Sequence, residues 1–129
     1  MYRCILEARN TVIRAMRPGM TVKKLQDIAE EVYKRHGFHK EFLALGRYIG
    51  HHVGLSVHDV NPSDPSRVFE PGVVFNVEPL LEFRDQKIHM RLEDTVLITP
   101  TGAENLTAGV PAEIDEVYAL IKQKGMGTN

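Results

Sequence analysis

Apolar residues recur at helical spacing from the start of the chain. Ile5, Ala8, Val12 and Met16 form one stripe over residues 3–16, widened by Leu6 and Ile13, while Arg3, Glu7, Arg9 and Arg14 occupy the remaining surface. Pro18-Gly19 ends this helix with a turn. Thr21 suits the N-cap of a second helix with the stripe Val22, Leu25, Ile28, Ala29 and Val32, and Gly37 suits its C-terminal cap. The two helices are expected to pack side by side. His36 and His39 read as solvated helix-end residues, and residues 41–45 are apolar but undecided.

The period then shortens to two. Leu55 and Val57 alternate with Ser56 and His58, which predicts a short strand, and residues 61–66 are dense in turn formers. Glu70-Pro71-Gly72 reads as a turn launching a long hairpin over residues 73–98. In its second strand Ile88, Met90, Leu92, Val96 and Ile98 share one parity, broken only by Asp94; His89, Arg91 and Glu93 share the other. A turn centred on Asp85 and Gln86 sets Glu78 opposite Glu93, Leu80 opposite Arg91 and Glu82 opposite His89. Pro79 complicates this register, because a proline within a strand often marks a bulge. Residues 103–106 predict a further short strand, 114–122 a last helix and 124–129 a frayed tail. The pattern is that of an α+β fold, two N-terminal helices on an antiparallel sheet, read as a single domain over 1–129.

That hairpin poses an electrostatic problem. Opposed residues on antiparallel strands hold their Cβ atoms roughly 5 Å apart, so Glu78 and Glu93 repel unless a shared proton, an arginine or a cation intervenes. One reading makes Glu78 a surface residue and lets Arg91 neutralise Glu93. The other places a cation between them, and three histidines in a Gly-rich segment, His51, His52 and His58, favour it. Imidazole with carboxylate suits Mn²⁺, Co²⁺, Fe²⁺ or Zn²⁺. No Cys-x-x-Cys or His-Glu-x-x-His pattern is present, which excludes a zinc ribbon or a zincin.

Composition narrows the setting. The 129 residues suffice for one domain, and 43% hydrophobic with 26% charged residues is ordinary for a globular chain. A net charge of -1 leaves no footprint for nucleic acid, and no apolar run reaches membrane-spanning length. No signal peptide is read at the start of the chain. The one cysteine, Cys4, excludes an internal disulfide and fits a reducing, cytoplasmic compartment.

Three segments then resemble a known family in order. Residues 50–60, Gly-His-His-Val-Gly-Leu-Ser-Val-His-Asp-Val, resemble the histidine segment of Xaa-Pro aminopeptidases and prolidases. Residues 70–79, Glu-Pro-Gly-Val-Val-Phe-Asn-Val-Glu-Pro, resemble their EPGMV-x-x-VEP strand. Residues 91–99, followed by 101–107, resemble their RIED-x-V-x-IT and TG-x-E-x-LT ending. The resemblance implies the C-terminal half of a pita-bread (creatinase/aminopeptidase-like) catalytic domain, with a curved sheet and two divalent ions (Mn, Co or Zn). It implies His51, Glu78 and Glu93 as metal ligands. Glu78 would also be general acid/base, His58 would stabilise the transition state and Arg91 would support the carboxylates. The implied substrate is a peptide cut before proline.

The same resemblance implies five ligands, two of them aspartates upstream of the histidines. The only aspartate before His51 is Asp27, on the polar side of the second helix. Arg47 stands where the family often has a further histidine, and His89 is larger than expected at its position. The expectation is therefore a partial catalytic domain binding one ion or none, completed by a missing N-terminal half or paired as a homodimer. The alternative is a non-catalytic peptide- or protein-binding module of the same fold.

Overall fold

The computed structural model describes residues 1–59 and 64–123, so the tail at 124–129 and the first half of the 61–66 loop lie outside the described residues. Helix α1 (Tyr2–Ala15) and helix α2 (Val22–Arg35) form where the apolar stripes predict. Thr21 caps α2, its side chain accepting from the Lys24 N–H at 3.2 Å, and Gly37 takes a left-handed φ of 77° just beyond it. The apolar stripes of the two helices meet in one core with Phe75, Val77, Val96 and Ile98 of the sheet. Each such side chain contributes about 1.5–3 kcal/mol on burial. Tyr33, outside the expected stripe, is fully buried as well; it stacks on Phe42 of α3 (His39–Ala44) and donates its hydroxyl to Leu80 O at 2.9 Å.

Among the described residues six strands follow: β1 (Gly50–Val53), β2 (Val74–Val77), β3 (Leu80–Phe83), β4 (Ile88–Arg91), β5 (Asp94–Ile98) and β6 (Ala103–Asn105). They make an antiparallel sheet of order β1-β2-β5-β6 and a separate β3-β4 pair. The predicted hairpin keeps its register but not its continuity. Leu80 faces Arg91 and Glu82 faces His89 as expected, and Val77 faces Asp94 in step with them. Between these pairs the ladder opens at Glu78-Pro79 and Leu92-Glu93. Pro79 has no N–H to give, so of its pair with Leu92 only the Leu92 N–H bond to Pro79 O remains, at 3.3 Å, while the Glu78 N–H donates to Ile49 O at 2.8 Å on the β1 side.

The strand predicted around Leu55 and Val57 is absent; the strand lies earlier, at Gly50–Val53. The chain leaves the sheet at Gly54 and loops back until the Asp59 N–H reaches His52 O at 3.3 Å. Leu55 and Val57 are left exposed. Their alternation had no sheet face to bury.

Asp94, the break in the apolar parity, sits on the buried side with a purpose-built set of donors. Arg9 of α1 engages both its oxygens, and Asn105 and Thr107 bond Oδ1 at 2.9 and 2.8 Å. The last helix, α4 (Ile114–Lys122), has the predicted bounds but buries none of its residues fully.

Candidate metal centre

The site grows out of the gap in the hairpin. Because β2 and β5 stay in register across it, Glu78 and Glu93 leave the ladder side by side. The end of β1 brings His51 against them, opposite Asn76 of β2. One donor atom from each of His51, Glu78 and Glu93 lies within 4.8 Å of the others. His51 and Glu78 are buried, at 2% and 1% exposure, while Glu93 is exposed at the mouth. This rules out Glu78 as a surface residue.

Hydrogen bonding orients each group. His51 Nδ1–H donates to His52 O at 3.0 Å, which leaves Nε2 directed at the carboxylates, 3.2 Å from Glu78 Oε1. Tyr48 donates its hydroxyl to Glu78 Oε1, and Arg91 donates to Glu78 Oε2. Arg91 thus neutralises Glu78, not Glu93 as the simpler sequence reading had it. Glu93 accepts instead from Asn76 Nδ2 at 2.7 Å. Burial, reinforced by the bond to Glu78, pushes the Tyr48 phenol well above its ordinary range, so it stays a proton donor. A nitrogen lone pair and two carboxylates converging on one point are a donor set that fits a first-row divalent cation.

His58 comes to the rim by the loop rather than by a strand, its ring centroid 4.4 Å from that of His51. His51, His58, Glu78, Arg91 and Glu93, the five residues the resemblance implies, therefore gather here. His52 does not: it faces the opposite side of the sheet, packed between Phe69 and Phe75. His89 lies away on β4, half exposed beside Glu82. Arg47 points to α2, bonding Asp27 and Glu30 at 2.6 Å each, so Asp27 is tied into a surface ion pair. Sequence reasoning missed Tyr48 and Asn76. Once the register is known, Asn76 is findable as the residue between His51 and Thr95 in the sheet.

Two helices on an antiparallel sheet, with a histidine and two glutamates meeting at a break in it, define a candidate metal-binding protein of the α+β class. Residues 1–100 match the metallopeptidase family M24, and the chain belongs to that family. It is 37% identical to the Xaa-Pro dipeptidase of Pyrococcus furiosus, over 83% of this chain and 30% of that one. It is 34% identical to the Xaa-Pro aminopeptidase of Escherichia coli, over 94% of this chain and 33% of that one. Among solved structures, prolidase from Pyrococcus furiosus superposes with a TM-score of 0.75 at 36% identity, covering 85% of this chain and 32% of that one. Proline aminopeptidase P II from Yersinia pestis gives 0.78 at 29% identity, covering 93% and 34%. The chain thus spans about a third of the length of the curated relatives it matches.

Proposed function

We propose that this chain carries the histidine and glutamate part of the catalytic centre of a metal-dependent peptidase that cuts the bond before proline. The observation that carries this is the convergence of His51, Glu78 and Glu93 within 4.8 Å, in a chain of this metallopeptidase family. These three residues would hold the cation. When bound, it lowers the pKa of a water and polarises the substrate carbonyl; Mn²⁺, Co²⁺ and Zn²⁺ all suit the donors. Glu78, which is buried and bonded by Tyr48 and Arg91, would hold a proton and pass it to the leaving proline nitrogen. His58, exposed beside His51, is placed to donate to the charge developing on the carbonyl oxygen. Arg91 keeps Glu78 oriented. Three ligands serve one ion; a second ion requires ligands beyond these three, supplied by another part of the protein or by a partner chain. A cytoplasmic location belongs to the same reading, supported by the single buried Cys4.

The test is release of proline from Xaa-Pro dipeptides, and of the first residue from Xaa-Pro-led tripeptides, with Mn²⁺ supplied. Hydrolysis that disappears in Glu93→Gln supports the peptidase. Peptide binding that survives in Glu93→Gln, with no hydrolysis by the unaltered chain, identifies the binding module instead.

A further inference from the structure

The group that fixes Glu93 lies outside the ligand set. Asn76 sits in β2, 6% exposed, with His51 of β1 as its ladder partner on one side and Thr95 of β5 on the other. The three share one row across the sheet. Strand alternation puts them on the face opposite Phe75, Val77 and Val96, which are in the core. Asn76 Nδ2 donates to Glu93 Oε1 at 2.7 Å, and its Oδ1 accepts from Thr95 Oγ1 at 2.9 Å. The bond to Glu93 settles which way the amide points, and the bond from Thr95 anchors it there. Turned over, it would set its oxygen 2.7 Å from a carboxylate oxygen, two acceptors with no proton between them.

The need for such a clamp follows from exposure. Glu78 is buried and bonded at both oxygens, so its position is set by packing. Glu93 is exposed, and an exposed glutamate samples several rotamers, most of which point its carboxylate away from His51. A buried amide anchored by a second side chain removes that freedom before any ligand arrives. We propose that Asn76 is a positioning residue that pre-orients Glu93 for a cation shared with His51 and Glu78, and that Thr95 anchors its amide. The proposal rests on the reading of His51, Glu78 and Glu93 as a cation site.

The test is titration of the 129-residue chain with Co²⁺, followed by its visible d–d absorption and by calorimetry, alongside urea unfolding of each metal-free variant. Asn76→Leu keeps the branched shape of the side chain and removes both bonds. Thr95→Val removes only the bond that anchors the amide, and Glu93→Gln removes the ligand. Asn76→Leu is expected to weaken Co²⁺ binding by about 10- to 100-fold. Thr95→Val is expected to weaken it by less than about tenfold, with the ligand-field spectrum altered, while Glu93→Gln removes the site. A merely structural asparagine would lower the urea midpoint and leave Co²⁺ affinity and spectrum unchanged in both variants, which overturns the proposal and leaves the cation site standing. If Asn76→Leu does not fold, Thr95→Val decides by the same readings. Failure of the unaltered chain to bind Co²⁺ overturns the cation site and this proposal together.

Discussion

Gly50 decides where His51 stands. Its φ of 147° lies in the region L side chains rarely adopt, and a Cβ there would sit 1.8 Å from the Asn76 carbonyl oxygen, a backbone atom that cannot yield without moving β2. Gly50→Ala is therefore expected to cost at least about 2 kcal/mol in urea unfolding and to displace β1 with its histidine. Arg9 is the second residue with an outsized effect. It and Asp94 are nearly buried, at 11% and 5% side-chain exposure, so Arg9→Met strands a buried carboxylate. A loss of about 3 kcal/mol is expected by the same measurement, against less than 1 kcal/mol for an exposed pair such as Lys23–Asp27. Glu78 and Glu93 stood out in the sequence as facing carboxylates beside a cluster of three histidines, and the family resemblance singled out His51 among them. Asn76 and Tyr48 did not stand out, since a neutral amide in a strand and a phenol in a loop carry no spacing signature; their meaning comes only from the bonds they make to Glu93 and Glu78.

At the scale of elements, the site depends on a strand pair that opens without slipping. Had Pro79 introduced a bulge, one side would have gained a residue and Glu78 would have turned to the other face. The pairs Val77–Asp94 and Leu80–Arg91 bracket equal lengths of chain instead, which is why the register predicted from the turn survived. The misplaced first strand has a physical cause too. Gly50, His51 and His52 are buried on both faces and show no alternation, whereas the alternating Leu55–His58 segment is a loop. The helix pair is held at its far end by Glu7, which accepts from His36 at 2.7 Å and from Arg35 at 2.6 Å. The His36 bond first, and the Arg35 bond second, hold the Glu7 carboxyl below its ordinary 4.5. A depressed folded-state pKa means stability that is present above about 4.5 and lost as pH falls through the lower folded value. Glu7→Gln is accordingly expected to be less stable than the unaltered chain at pH 7, by under about 1 kcal/mol because Glu7 is 42% exposed, with the difference narrowing at pH 3. Urea midpoints at the two pH values check this.

For the whole molecule, the α+β architecture was readable from two periods, 3.6 over the first 36 residues and 2 over the hairpin. The split into two sheets was not, because the interruption comes from where one proline falls relative to the ladder. Tyr118, Leu120 and Ile121 of α4 stand exposed, and α4 buries no residue fully, so an apolar surface is left on that side. Self-association through it is expected: sedimentation velocity should show a dimer at micromolar concentration, and a monodisperse monomer would refute that expectation. The central claim is narrower, that His51, Glu78 and Glu93 form one cation site. The most direct measurement is anomalous diffraction at the zinc edge from crystals of the chain grown with Zn²⁺. The account predicts one strong peak within about 2.0–2.2 Å of His51 Nε2 and of a carboxylate oxygen from each glutamate. A map with no peak there, or with its strongest peak at the Asp27 and Glu30 carboxylates instead, would contradict it.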